Sequence, residues 1–234
     1  MHPALALVLS YVSGSIPAAY LAGKWSGVDL RSQGSGNLGA TNVLRVLGPR
    51  IGGLVFAVDI AKGALPVWFL PRLTATAGHT QTWLAIACGV AAILGHIRPV
   101  FLGFGKGGKG VATTCGVYLA LAPIQTALAL LIFAVVVLAS GYVSLSSLTA
   151  AAALPVLLAV SVGTRSPLFY VSLITGTFVF WTHRANIQRL REGTEYRFGK
   201  AANFGRRPSL ALGIGILILA AAFLASAFGT GVAP

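Results

Sequence analysis

Two polar, glycine-rich segments, Gly34-Ser-Gly-Asn-Leu-Gly-Ala-Thr-Asn42 and Gly103-Phe-Gly-Lys-Gly-Gly-Lys-Gly110, each stand between apolar runs of membrane length. Glycine lets backbone N–H groups approach an anion closely, and lysine adds fixed positive charge. The second segment leads into an apolar helix, whose N-terminus adds further amides to an anion site. A third polar stretch, His183 to Glu195, carries a histidine and an asparagine three residues apart. These residue types bind and polarise phosphate or carbonyl groups at a bilayer surface.

Two familiar nucleotide motifs are nearly matched and both fail on context. Gly34, Gly36 and Gly39 fit G-x-G-x-x-G, with Asp59 twenty residues beyond Gly39. A dinucleotide site needs a strand before that motif and an acid in a soluble βαβ unit. Here an apolar helix precedes it, and Asp59 lies within another. Gly103 to Lys109 fits G-x-x-x-x-G-K, but Gly110 stands where Ser or Thr would hold magnesium. Neither NAD nor ATP chemistry follows, whereas the anion-binding core of the loop survives.

The elements that position these loops follow from hydropathy. The chain of 234 residues is 56% hydrophobic and only 9% charged, with mean hydropathy +0.84. Soluble domains carry about 25% charged residues, so this is an integral membrane protein with no visible soluble domain. Runs of about 20 apolar residues cross a bilayer as helices. They predict spans at 4–23, 51–70, 81–97, 145–163, 167–183 and 209–228. Small residues at Ala18, Ala19 and Ala22 imitate a signal peptide, but no Lys or Arg precedes Lys24. Residues 4–23 therefore read as a retained helix.

Charge resolves the ambiguous stretch 110–140. The segment 184–207 holds Arg184, Arg189, Arg191, Arg197, Lys200, Arg206 and Arg207, which places it in the cytoplasm. With positive charge following the first span, the N-terminus is outside. Residues 184–207 reach the inside only if 110–140 forms two helices, about 110–122 and 124–140, broken near Pro123. The result is eight helices, with all three motif segments on the cytoplasmic face. The net charge of +13 is then chiefly the positive-inside bias, with some attraction to anionic lipid or substrate. Nucleic acid is not implied. Cys88 and Cys115 fall in apolar spans and read as buried thiols rather than a disulfide or metal pair.

In order, the cytoplasmic segments read Gly34 to Arg45, then Gly95-His-Ile-Arg-Pro-Val-Phe-Leu-Gly-Phe-Gly-Lys-Gly-Gly-Lys-Gly-Val-Ala-Thr113, then His183 to Glu195. This set resembles the acyl-phosphate:glycerol-3-phosphate acyltransferase family of the PlsY type, over about residues 1–198. Asp59-Ile-Ala-Lys-Gly63 fits the same pattern. The resemblance implies an all-α, polytopic enzyme of the bacterial inner (plasma) membrane, with seven helices, the N-terminus outside and the motifs cytoplasmic. Its reaction moves a fatty acyl group from acyl phosphate to the 1-hydroxyl of glycerol-3-phosphate, giving lysophosphatidic acid and phosphate in the first step of phospholipid synthesis. It implies no cofactor, no metal and no required protein partner beyond the two substrates and the surrounding lipids. Residues 199–234 depart from the family, adding a basic loop and the apolar run 209–228. Gly105, ahead of Lys106, is a second departure.

Such chemistry asks for positioning and charge stabilisation rather than metal, because acyl phosphate already carries a good leaving group. The resemblance makes Ser35, Arg45, His183 and Asn186 catalytic. Gly34, Gly36, Asn37, Thr41 and Asn42 join the first binding loop; Lys106, Gly107, Gly108, Lys109 and Gly110 form the glycerol-3-phosphate loop. His96, Gly193 and Glu195 support them. From the residues alone, Ser35 also suits a helix N-cap, Asn37 and Asn42 equally suit turns, and His96 fits an interfacial structural histidine better than a ligand. Thr41 and Arg45 share a helical face, and Arg45 offers a planar fork for phosphate. His183 and Asn186 extend the seventh helix on one face. Glu195 orders its loop by pairing with a nearby arginine or acts as a base, and Asp59 and Lys62 pair inside the membrane with each other or with partners on neighbouring helices. The hydroxyl proton goes to the leaving phosphate or to His183. A histidine–x4–aspartate acyltransferase pair is absent. An organophosphate transporter is the rival reading, but no repeated halves are found and the polar groups cluster on one face. A phosphatidyl-alcohol transferase would need more acids, and the intact motif residues argue against an inactive scaffold.

Overall fold

The computed structural model describes residues 1–198. Among these residues every regular element is a helix. Five segments are long and apolar enough to cross a membrane: Pro3–Trp25, Pro49–Leu73, Gly78–Leu102, Pro123–Ser140 and Val143–Val162. Val111–Leu121 and Pro167–Thr182 are shorter apolar helices. The expected span 209–228 lies outside the described residues. Large apolar side chains face outward: Leu138 is 75% exposed, Ile124 71% and Ile174 68%. Such a surface suits lipid and not water.

The chain forms two compact units, Met1–Pro123 and Ile124 onward. The first contains α1 (Pro3–Gly14), α2 (Ala18–Trp25), α3 (Ala40–Leu47), α4 (Pro49–Phe69), α5 (Gly78–Ile97) and α6 (Val111–Leu121). α4 is its centre and packs against all the others. The α4–α6 crossing is close because glycine lies on both sides. A Cβ at Gly63 would come within 2.3 Å of the Thr113 carbonyl oxygen, and one at Gly116 within 2.0 Å of that of Ile60. Small residues are how membrane helices gain packing when lipid offers no hydrophobic drive.

The first span is not the continuous helix expected for 4–23. α1 closes at Ser15, whose N–H bonds back to the Tyr11 carbonyl at 2.9 Å, and α2 restarts after Pro17. Proline offers no N–H and disfavours helix in the residue before it, so the break falls at Ile16.

The second unit holds α7 (Pro123–Ser140), which opens on the last residue of the first unit, then α8 (Val143–Val162), α9 (Pro167–Thr182) and α10 (Arg184–Arg191). The two-helix reading of 110–140 is therefore correct, with the break at Ala122. Ala129, Ile132, Val136, Leu145, Ala153 and Leu157 make its core. The seventh apolar helix ends earlier than expected. α9 stops at Thr182, and His183 is the junction at which α10 begins as a separate element.

Candidate active site

Asn42 organises the first loop. Its side chain is 1% exposed, on α3. Its Oδ1 accepts the Ser35 N–H at 2.8 Å, and its Nδ2 donates to the carbonyls of Leu30 at 3.1 Å and Gln33 at 3.0 Å. Gly34 fits only because it lacks a side chain: φ is +61°, and a Cβ would lie 2.3 Å from Asn42 Oδ1. The loop is thus wound around one amide, which leaves Ser35 exposed at its tip. Ser35 is not the helix cap; Gly39 occupies that place, without a side-chain bond. Gly36 turns with φ +67°, and Asn37 lies beside Gly39. Asn42→Ala deletes the three hydrogen bonds of a buried amide, worth about 1 kcal/mol each. It is expected to lower the melting temperature and turnover together; Asn42→Asp, which cannot donate, should be no better.

α3 presents Thr41, exposed, one turn before Arg45, which is half-buried in the last turn. A Cβ at Gly34 would come within 3.2 Å of Arg45 Cδ, so the loop packs on the arginine stem.

The second loop sits on the end of α5. Gly107 N–H donates to the Ile97 carbonyl at 2.9 Å. A Cβ at Gly107 would lie 2.0 Å from the His96 carbonyl oxygen. At Gly108 it would lie 2.2 Å from His96 Nε2 and 2.7 Å from the Leu38 carbonyl oxygen. Glycine at both positions lets the two polar loops pack on each other around His96. Lys106 is exposed and Lys109 half-buried. Gly110, at φ +81°, is the N-cap of α6 and makes no side-chain cap bond, so the early amides of that helix open toward the loop.

In the second unit a buried carboxylate gathers the third motif. Glu195 Oε1 accepts from Asn186 Nδ2 at 2.7 Å and from Ser144 Oγ at 3.0 Å, and its Oε2 accepts from Arg189 Nε at 2.7 Å. Gly193 makes this possible. With φ +70° it ends α10 in a left-handed turn. Its N–H bonds to the Leu190 carbonyl, while that of Thr194 bonds to the Arg189 carbonyl at 2.9 Å. This is a Schellman closure, and it folds Glu195 back onto the helix. Ser144 is a partner that sequence reasoning missed; its only signal is a serine opening an apolar span.

Burial pushes the Glu195 carboxyl up, but the hydrogen bonds from Asn186, Arg189 and Ser144 outweigh it and hold it below the usual carboxylate range. A depressed carboxylate stabilises the fold above its unfolded value of about 4.3 and loses that contribution as pH falls through the folded value. Glu195→Gln is expected to cost about 2 kcal/mol near neutral pH. In thermal unfolding the gap between wild type and variant should close as the pH is taken below about 4.

His183 is 4% exposed. Its Nδ1 lies 2.9 Å from the Val179 carbonyl oxygen, which can only accept. Nδ1 therefore carries a proton, and in the neutral ring the lone pair is on Nε2. Asn186, also buried, is on α10 three residues on. Ser35, Arg45, Lys106 and Lys109 belong to the first unit; His183, Asn186 and Glu195 belong to the second.

A sequence model of the family described as glycerol-3-phosphate acyltransferase matches residues 4–193. The glycerol-3-phosphate acyltransferase of Geobacter metallireducens is 52% identical, over 83% of this chain and 96% of its own. That of Aquifex aeolicus is 41% identical, over 82% and 97%. Among solved structures, PlsY (YgiH), an integral membrane glycerol 3-phosphate acyltransferase, superposes in its glycerol 3-phosphate form with TM-score 0.77 and 39% identity, covering 84% of this chain and 96% of that one. Its lysophosphatidic acid form gives TM-score 0.74 at 38% identity. The chain belongs to the glycerol-3-phosphate acyltransferase family.

Proposed function

We propose that this protein transfers a fatty acyl group from acyl phosphate to the 1-hydroxyl of glycerol 3-phosphate, releasing inorganic phosphate and lysophosphatidic acid. The observation that supports the reading is the packing of the two glycine loops on each other, Gly108 against the Leu38 carbonyl, with Ser35 and Lys106 exposed and Lys109 half-buried. Two phosphorylated substrates call for such a surface. Lys106, Lys109 and the amides at the start of α6 hold glycerol 3-phosphate. Arg45 and Ser35 hold the acyl phosphate and the charge that develops on its carbonyl oxygen. The hydroxyl oxygen attacks the carbonyl carbon, its proton goes to the leaving phosphate or to His183, and the carbon–oxygen bond to phosphate breaks with its electrons on the departing phosphate. Asn186 is kept in place by Glu195, which is spent on three donors and orders the loop rather than acting as a base.

The proposed setting is the bacterial inner membrane, with the N-terminus outside and the loops facing the cytoplasm. Residues 1–198 are the proposed catalytic core, and residues 199–234 an appended segment. A chain ending at Phe198 is expected to keep its turnover. Purified protein in detergent, given labelled glycerol 3-phosphate and palmitoyl phosphate, should form labelled lysophosphatidic acid and release one phosphate per product. Absence of product from folded protein would overturn the reading.

A further inference from the structure

Asp59, Lys62 and His96 are 2%, 5% and 5% exposed, on membrane helices where ionisable groups are costly. Lys62 Nζ lies 2.8 Å from Asp59 Oδ1 and donates to the Ile16 carbonyl at 2.8 Å. That carbonyl is at the break between α1 and α2. The lysine thus serves a polar group released by Pro17, and the aspartate neutralises the lysine. Neither need accounts for His96. Its Nδ1 finds no hydrogen-bond partner among the described residues and faces the same Asp59 oxygen at 3.6 Å. The opposite edge of the ring is where Gly108 rests, with Nε2 and Cε1 within 2.2 and 2.8 Å of the position a Cβ would take. The backbone of the lysine loop therefore rides directly on this imidazole.

Resting on the acyltransferase reading, we infer that His96, aimed by the Asp59–Lys62 pair, is a positioning residue that sets the height of the lysine loop for glycerol 3-phosphate. The cavity that these three groups line, beside Gly107, Gly108 and Leu38, has a volume of about 10 Å³. That is room for about one water molecule and not for a substrate. The effect therefore passes through the loop rather than through contact. The carbonyl of His96 abuts Gly107 as well, so a shift of this turn moves both glycines between Lys106 and Lys109.

The test is steady-state kinetics in both substrates with thermal unfolding of the same samples. His96→Ala raises the KM for glycerol 3-phosphate about tenfold, the scale of loss from a sub-ångström displacement of a binding group, and leaves the KM for palmitoyl phosphate in place. His96→Gln, whose amide nitrogen stands in for Nε2, recovers most of this; His96→Asn, which stands in for Nδ1, does not. Asp59→Asn combined with Lys62→Met leaves no unpaired buried charge and, in samples that keep the wild-type unfolding transition, raises the same KM. An unchanged KM for glycerol 3-phosphate in His96→Ala and in the double variant overturns the inference while leaving the enzyme reading intact, as does an equal change in both KM values. A wild-type protein that forms no lysophosphatidic acid overturns both.

Discussion

Arg45→Lys lowers acyl transfer by about a hundredfold, and Arg45→Ala by about a thousandfold, in initial-rate measurements at saturating substrates. The lysine variant is the informative one, because it keeps the charge. If Arg45 were only one of the chain's many positive charges, lysine would serve equally. A guanidinium presents a rigid fork that meets two phosphate oxygens at once, whereas an ammonium is a point charge on a flexible stem. The structure holds the stem of this arginine in two ways. α3 holds the backbone at the end of a short helix, with Asn42 pinned beneath the loop that precedes it. The loop then packs at Gly34 on the arginine's own methylenes. Wild-type rates for Arg45→Lys would reduce Arg45 to a topology signal.

His183→Ala is expected to lower turnover by about 10²- to 10⁴-fold, the range that a positioned proton acceptor supplies, and to flatten the acidic limb of the pH–rate profile. The geometry behind this is local. Val179, one turn back in α9, takes the Nδ1 proton, so the neutral ring has its lone pair on Nε2. The break between α9 and α10 puts the ring at a helix junction rather than along a helix side. A continuous helix would give it no such fixed place. A slow His183→Ala enzyme that keeps its acidic limb would hand the proton to the departing phosphate and leave His183 an orienting role.

The helices were legible because hydropathy sums over about twenty residues, and the split of 110–140 because a charge rule decides between odd and even numbers of crossings. Short-range pairings were legible too: Asp59 with Lys62, three residues apart, and Glu195 with a nearby arginine, which the fold shows to be Arg189. The break at Ile16 was not, since one proline barely moves a window average. Nor was the division of labour in the first loop. Ser35 and Asn42 are both small polar residues in a glycine-rich stretch, and only the fold reveals that Asn42 spends its amide on backbone while Ser35 stays exposed. Ser144 reaches Glu195 from 51 residues away, a distance over which spacing carries no signal. His96 read as an interfacial histidine because its meaning lies in Gly108, whose missing side chain is where the ring fits.

The most direct measurement compares three acyl donors on one purified preparation. Labelled glycerol 3-phosphate is supplied with palmitoyl phosphate, with palmitoyl-CoA and with palmitoyl-carrier protein in parallel. Lysophosphatidic acid from palmitoyl phosphate alone is the predicted result, because the proposed surface binds two phosphates and activates a donor whose leaving group is phosphate. Product from either thioester, with none from palmitoyl phosphate, would contradict the account at its centre.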